Sequence, residues 1–377
     1  MQFSLFSTLL FIGIIQGLVT SVILLLTKHN KRSNRFLAFA ILALCLLSTN
    51  RILHSLGLWH THYLRFFPSS AEVLIAPSFY FFIIYLLHSN RKFTWKQALH
   101  FLPFAVFQSY SFFVYFYTLT TPSLYEKDLI AESLHFGFIK NIIEEGIGNT
   151  LTVIYTALGY KDLRSYRIWL KNTNADNSYP DFSWLWRLFT LCIILVAYLT
   201  TGHLLHVFFR LNDVFTLHWD LFSIYLAFVV YYVGFAGYKQ SHVEVAINMT
   251  KNLKVNSSNI TKSEVQNIAH LLEKSMMQDK LFLNPTLSLK EVSDALDVSQ
   301  RNLSYTINQH FQKSFRELIN EYRIEEIKTQ LNDENLKKRS IFGIAMDCGF
   351  NSEASFYRVF KKNTGSSPKE FLHANSH

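Results

Sequence analysis

Two sets of polar side chains in the last hundred residues carry the spacing of a base reader. Arg301, Ser304, Tyr305 and Asn308 lie on a segment whose apolar members, Leu303 and Ile307, are four residues apart. A helix would turn the apolar pair inward and the polar four outward. Ser299 stands where its hydroxyl can accept from a free backbone N–H of that helix. The pattern returns at Glu353, Ser355, Tyr357 and Arg358, with Phe356 and Phe360 as the inward residues and Lys361 and Lys362 following. Donors and acceptors grouped near the start of a helix suit hydrogen bonding to base edges in a major groove, with lysines placed for phosphates. That is reversible recognition, with no covalent step.

A second polar group sits inside long apolar runs: Arg51, His54, Glu72, Glu144, Glu145, His203, His206 and Asp220. Such residues are costly in hydrocarbon and often functional. They are expected to line a cavity open to the outside that takes a polar or charged ligand. The competing reading is that they snorkel to the interface or tie helices together. His203 and His206 are one turn apart, but two histidines alone do not define a metal centre. Cys45, Cys192 and Cys348 are scattered, with no metal or disulfide spacing. Neither a metal nor a cofactor is expected.

Enzyme signatures are weak. Glu144-Glu145-Gly-Ile-Gly-Asn149 is similar to the Glu-Glu-x-x-x-Arg pattern of a family of intramembrane proteases, but Asn stands where Arg is required and the accompanying histidine motifs are missing. No Gly-rich phosphate loop, nucleophile–base set or kinase signature is present. The chain is read as a non-enzyme. A transporter or intramembrane enzyme with a regulatory tail is the alternative.

The elements that must position the two polar faces follow from local signals. Leu289, Val292, Ala295 and Leu296 give a short apolar face, Asp297-Val298 a tight turn, and Ser299 opens the first polar helix. Ile341, Ile344 and Ala345 give the second short face. Cys348-Gly349-Phe350 breaks it, with Gly349 free to take positive φ. Ser352 is the expected cap of a helix over 353–362, Gly365 its end, and Pro368 the first turn of a last helix. Between the pairs, residues 314–332 read as one helix roughly 28 Å long, near the ~34 Å repeat of B-DNA. Two reading helices held that far apart could enter successive grooves on one face of a duplex.

This stretch resembles the arabinose-regulator (AraC/XylS) family of bacterial transcription factors. The matching residues are Leu-Ser-Leu-Lys-Glu-Val (287–292), Val-Ser-Gln-Arg-Asn-Leu-Ser (298–304) and Ile-Asn-Glu-Tyr-Arg (319–323). The match continues through Ile344-Ala345, Cys-Gly-Phe-Asn-Ser (348–352), Ser-Phe-Tyr-Arg-Val-Phe-Lys-Lys (355–362) and Thr-Gly-Ser-Ser-Pro-Lys-Glu-Phe (364–371). The resemblance implies a domain of two helix-turn-helix units, with base contacts at the two polar sets. Its implied partners are double-stranded promoter DNA and RNA polymerase. Asp297 departs from the family's turn glycine, and Ile327 from a small residue on the connecting helix.

Half of the 377 residues are apolar and only 17% are charged, with 35 phenylalanines. That is high for a soluble protein. Seven runs reach the ~20 residues needed to cross a bilayer: 3–27, 36–58, 66–88, 98–120, 138–160, 184–210 and 217–238. The fifth is interrupted by Glu144, Glu145 and Asn149. The first is no convincing signal peptide, because no Lys or Arg precedes it. Basic residues cluster after spans one, three and five, at Lys28, Lys31, Arg32 and Arg35, at Arg91, Lys92 and Lys96, and at Lys161, Arg164, Arg167 and Lys171. Basic loops face the cytoplasm. The expected topology is therefore a multi-pass protein of the bacterial inner membrane, N-terminus outside and C-terminal domain inside.

The net charge of +9 is not itself a DNA signal. Residues 1–238 hold 17 basic and 11 acidic side chains, residues 286–377 hold 13 and 12. Local groups such as Lys337, Lys338, Arg339, Lys361 and Lys362 are the ones placed for phosphates. The fold class is all-α: a transmembrane bundle (1–238), a juxtamembrane linker (239–260) and a helix-turn-helix domain (261–377). Thr261 and Glu264 form a capping box ahead of the stripe Val265, Ile268, Leu271, Leu272 and Met276. Expected partners are promoter DNA, the lipid bilayer, an unidentified small-molecule or membrane signal, and a second copy of the chain, since a homodimer would lengthen the recognised site.

Overall fold

A computed structural model describes residues 5–28, 30–176, 179–180, 182–209, 212–241, 260–331 and 338–375, without side chains for 5, 6, 203–220, 241 and 375. The described residues form helices and no strand; one isolated antiparallel bridge joins Asn174 to Ser288. They divide into two compact units.

The first unit comprises Met1–Leu163 and Phe182–Asn248. Counting helices of seven residues or more, it holds α1 (Leu5–Leu26), α2 (Lys31–Ser55), α3 (Glu72–Leu87), α4 (Leu102–Leu119), α5 (Leu124–Ser133), the start of α6 (Glu145–Thr173), α7 (Ser183–Phe209) and α8 (Asn212–Ser241). Helices α1, α2 and α8 pack on one another, and α3 packs on α2. The approach of α1 is close because Gly17 has no side chain: a Cβ there would lie 2.5 Å from Cys45 Sγ. Five helical segments are long and apolar enough to cross a membrane: Ser7–Leu26, Lys31–Ser55, Trp95–Leu119, Ser183–Gly202 and Leu221–Gln240. The other two expected spans differ. Helix α3 has only 16 residues, because the chain from Pro68 to Ala71 stays out of the helix. The fifth is a six-residue π-helical turn, Ile139–Glu144, leading into the charged helix α6.

The second unit comprises Arg164–Asp181 and Met249–His377. Its helices are α9 (Lys262–Gln278), α10 (Leu289–Ala295), α11 (Gln300–His310), α12 (Phe315–Gln330), α13 (Ile341–Asp347), α14 (Glu353–Thr364) and α15 (Pro368–Asn375). Helix starts are set locally. The Thr261, Ser288 and Ser314 hydroxyls each accept from the backbone N–H three residues on, and the glutamates at those positions reach back to close capping boxes. Ser299 caps α11 by accepting from the N–H of Asn302. Ser352 precedes α14, but its side chain makes no capping bond, contrary to the expectation from sequence.

Two hydrophobic cores lie side by side. The first gathers Ile268, Leu272, Met276, Val292, Leu303 and Ile307 around α9–α11. The second gathers Ile344, Ala345, Phe350, Phe356 and Phe360 around α13 and α14. Helix α12 belongs to both, giving Phe315, Leu318 and Ile319 to the first and Ile324 and Ile327 to the second. At 16 residues it is about 24 Å long, one turn shorter than the sequence implied. Ile327, the departure from a small residue, is fully buried in the second core.

Between the cores lies Arg323, completely buried. Its guanidinium donates to the carbonyls of Phe282 (2.8 Å), Asn284 (2.7 Å) and Ala175 (3.3 Å) and lies over the Phe350 ring. Burial pulls its pKa down to about 10, which leaves it charged at neutral pH. Gly349 sits against this knot with φ +91°; a Cβ would come within 2.7 Å of the Phe282 carbonyl oxygen. Asp297 takes the left-handed conformation, φ +52°, as the turn requires.

Residues 174–176 join this unit from far along the chain. Asn174 bridges Ser288, and the Ala175 N–H donates to the Leu287 carbonyl at 3.0 Å. The Ala175 methyl is fully buried in the first core.

Candidate nucleic-acid interface

Helices α11 and α14 are the second members of two short-helix pairs, α10–α11 and α13–α14. On α11, Arg301 is exposed and Tyr305 and Asn308 are half-buried. The Asn308 amide donates back to the Ser304 carbonyl at 2.7 Å. On α14, Glu353 and Arg358 are exposed, as are Lys361 and Lys362. Tyr357 is half-buried, its ring edge-on to Phe356. This leaves the outward faces polar, with a cation on each.

Ser304 and Ser355 do not belong to these faces. Both point inward, 3% and 6% exposed, which corrects the outward placement read from sequence. Each follows or precedes a core residue directly, Leu303 or Phe356, and a small side chain fits the crowded flank of a buried stripe. Gln309 on α11 and Asn363 on α14 are instead exposed and Asn302 is half-buried; for Asn302 and Gln309 the available signal was a position one turn from Tyr305. Lys337 lies outside the described residues.

Not every cation on the face is uncommitted. Lys362 Nζ pairs with Glu317 Oε1 at 3.0 Å, tying α14 to the first turn of α12. The hydrogen bond from Lys362 is the main reason the Glu317 carboxyl is held down to about 2, with Ser314 adding to it. Arg339 pairs with Asp347. Arg316, also on α12, donates from Nε to the Asn174 carbonyl (2.9 Å) and from Nη2 to the Asp176 carbonyl (2.7 Å). Burial lowers its pKa, Asp176 opposes that shift, and the nearby Arg358 charge adds to it. The Asn351 side-chain amide donates to Asp176 Oδ1 at 2.6 Å.

The first unit contains a cavity of about 910 Å³. Arg51, His54, Glu72 and Glu145 line it, together with apolar side chains such as Leu44, Phe79 and Leu195. Glu144, expected to line the cavity, does not: it is fully buried and pairs at 2.7 Å with Lys140, which does. Lys140 also donates to the Ser69 carbonyl and the Ser70 hydroxyl. The π-helical turn Ile139–Glu144 sets this pair, and such turns recur at functional sites. Sequence reasoning missed Lys140, Arg65 and Asp128, which also line the cavity; Arg65 and Asp128 form an ion pair at 2.8 Å. His203, His206 and Asp220 fall among the residues whose side chains are not described.

Comparison with known proteins bears on the second unit. Residues 292–374 match the family profile of a helix-turn-helix domain. Over 85 residues the chain is 34% identical to the uncharacterized HTH-type transcriptional regulator YijO of Escherichia coli, covering 22% of this chain and 29% of that protein. Over another 85 it is 32% identical to the xylose operon regulatory protein of Haemophilus influenzae, covering 22% and 21%. An uncharacterized HTH-type transcriptional regulator of Staphylococcus aureus is 34% identical over 92 residues, 24% of this chain and 12% of that protein. The chain thus spans less than a third of the length of these curated relatives. No solved structure matches. The C-terminal part is a helix-turn-helix domain of AraC type, and its relatives are transcriptional regulators.

Proposed function

We propose that this chain is a membrane-embedded, one-component transcription regulator. Its two short-helix pairs act as helix-turn-helix units that read promoter DNA in a sequence-specific way. The observation that carries this is the pairing of polar outward faces on α11 and α14, held by one helix, α12, that is built into both cores. Arg301, Tyr305 and Asn308 on one, and Glu353, Tyr357 and Arg358 on the other, supply the base contacts. Lys361 is placed for the phosphate backbone, so affinity falls with salt.

The embedding is supported by the five apolar helices and by large hydrophobic side chains left exposed along them, among them Phe11, Val106, Phe116, Ile193 and Phe228. Large apolar side chains exposed along such helices favour a lipid or partner surface. The basic stretches at 28–35, 91–96 and 161–171, taken as connections of the seven-span scheme read from sequence, support a cytoplasmic tail. The cavity is the receptor for the signal. Its apolar walls and charged end fit a ligand with an apolar body and a polar or charged head, and the Lys140–Glu144 pair positions that end.

Genome-wide mapping of crosslinked DNA, with the full chain and with its Arg301→Ala/Arg358→Ala variant, tests the reading. Sequence-specific peaks that are lost or weakened in the variant are the expected result. The absence of any shared sequence under the peaks would remove the regulator reading. A topology reporter fused after His377 and active only outside the cell would remove the membrane orientation.

A further inference from the structure

We propose that Arg316 and Asn351 form a binding site for a DNA phosphate, and that the chain's own segment 174–176 fills that site when DNA is not bound. The inference rests on the reading of α11 and α14 as DNA-contacting helices.

The chemistry of the site is the first reason. Arg316 offers Nε and Nη2 side by side, and they take two carbonyl oxygens, those of Asn174 and Asp176. Asn351 takes an oxygen of the Asp176 carboxylate. Three donors thus hold three oxygens, one of them on a carboxylate; the two non-bridging, charge-sharing oxygens of a phosphodiester could take the same donors. The segment's carbonyls and carboxylate stand in for it.

Position is the second reason. Asn351 lies two residues ahead of the twelve-residue helix α14. Backbone phosphates approach DNA-reading helices at such N-termini. Arg316 lies near enough to Arg358, on the outward face of α14, for the Arg358 charge to add to the lowering of the Arg316 pKa. A duplex meeting Arg358 would bring its backbone towards donors that Asp176 now occupies. Segment and phosphate cannot share them, and the Asp176 charge would repel a duplex at short range. By linkage, each then weakens the other's binding equally.

Third, few groups outside the proposed site hold the segment. Ala175 puts one methyl in the core; the backbone makes one bridge with one flanking hydrogen bond and accepts one more from Arg323 at 3.3 Å. It directly follows α6, the helix that opens with the cavity residue Glu145 and ends at Thr173. Its basic neighbours Arg164, Arg167 and Lys171 assign it to the same side of the bilayer as the tail. A signal received by the cavity therefore has a covalent route to the segment that covers the phosphate site.

The test uses the full chain in lipid nanodiscs. Asn174→Cys with Ser288→Cys places two thiols at the bridge, so that oxidation locks the segment in place. Ser288→Cys also removes a helix cap, so the comparison is between oxidised and reduced forms of the same variant. The probe is duplex DNA selected from a random-sequence pool by the reduced form. The oxidised form should bind it at least tenfold more weakly. Asp176→Asn in the otherwise native chain should bind its own selected DNA several-fold more tightly. Arg316→Gln should weaken binding and reduce the slope of log affinity against log salt by about one. Equal binding by the oxidised and reduced forms overturns the masking, and an unchanged salt slope overturns the phosphate contact; both leave the DNA-reading function intact. If selection by the reduced form yields no preferred sequence, the DNA-reading function fails, and this inference with it.

Discussion

Lys362 Nζ lies 3.0 Å from Glu317 Oε1, so the last turn of α14 is tied to the first turn of the helix that joins the two cores. The pair fixes the orientation of one polar face against α12. With its folded pKa lowered to about 2, Glu317 stabilises the fold at any pH above its unfolded value of ~4.3. That contribution is lost as pH falls from there through about 2. The pair is half exposed, so the effect is on the order of 1 kcal/mol or less. A carbon-13 NMR titration should place the Glu317 carboxyl near 2 in the native chain. In Lys362→Met it should move back towards the ordinary range.

Asp297 carries a side chain where φ is +52°. Left-handed geometry costs a non-glycine residue roughly 1–2 kcal/mol, less for Asp, and glycine gives back part of the gain as chain entropy. Asp297→Gly should therefore stabilise the second unit by about 0.5 kcal/mol. Denaturant unfolding followed by helical circular dichroism should show a higher midpoint; a lower one would mean that the Asp297 side chain makes a favourable contact.

Gly349 is the opposite case. A Cβ there meets the Phe282 carbonyl at 2.7 Å and Arg323 Nε at 2.9 Å, on a backbone with φ +91°. Gly349→Ala should destabilise by about 2–4 kcal/mol, since it adds strain to the loss of a buried charged hydrogen bond. The readout is loss of soluble or membrane-inserted full-length chain, together with faster proteolysis within 281–350.

Base contacts separate from buried serines. Arg301→Ala and Arg358→Ala should each weaken specific binding by ~1–3 kcal/mol and relax preference at one base pair. Ser304→Ala should leave DNA preference unchanged and be neutral or slightly stabilising, because the Ser304 hydroxyl is buried without a hydrogen-bond partner among the described residues. Titrations on selected duplexes and their single-base variants compare the three.

The reading helices and the caps Thr261 and Ser299 were legible because caps are local, each needing only the next turn of chain; Ser288 and Ser314 carry the same signal but were not read as caps. The break at Gly349 and the left-handed turn at Asp297 were legible for the same reason. Ser304 and Ser355 were misplaced, since a serine fits either flank of a buried stripe and only the packing of α9 and α12 decides which. Arg323 stood inside a matched motif, yet its role depends on three carbonyls, two of them some 40 residues back and one 148 residues away. The stretch Lys171-Asn-Thr-Asn-Ala-Asp176 reads as an ordinary loop, and its partner Arg316 is 142 residues further on; no periodicity spans that gap. In the apolar half, the runs showed where helices lie, but a 16-residue α3 and a π-helical turn are decided by neighbours.

The burial of Ala175 has a practical corollary for anyone dissecting this protein. A fragment beginning near residue 260 contains every helix from α9 onward but lacks one tenant of its own interior. It would expose a notch beside Leu287, and Arg323 would lose one of its three carbonyls. The folding unit is spliced from two separate places in the gene product, and a cut drawn on the linear map divides it.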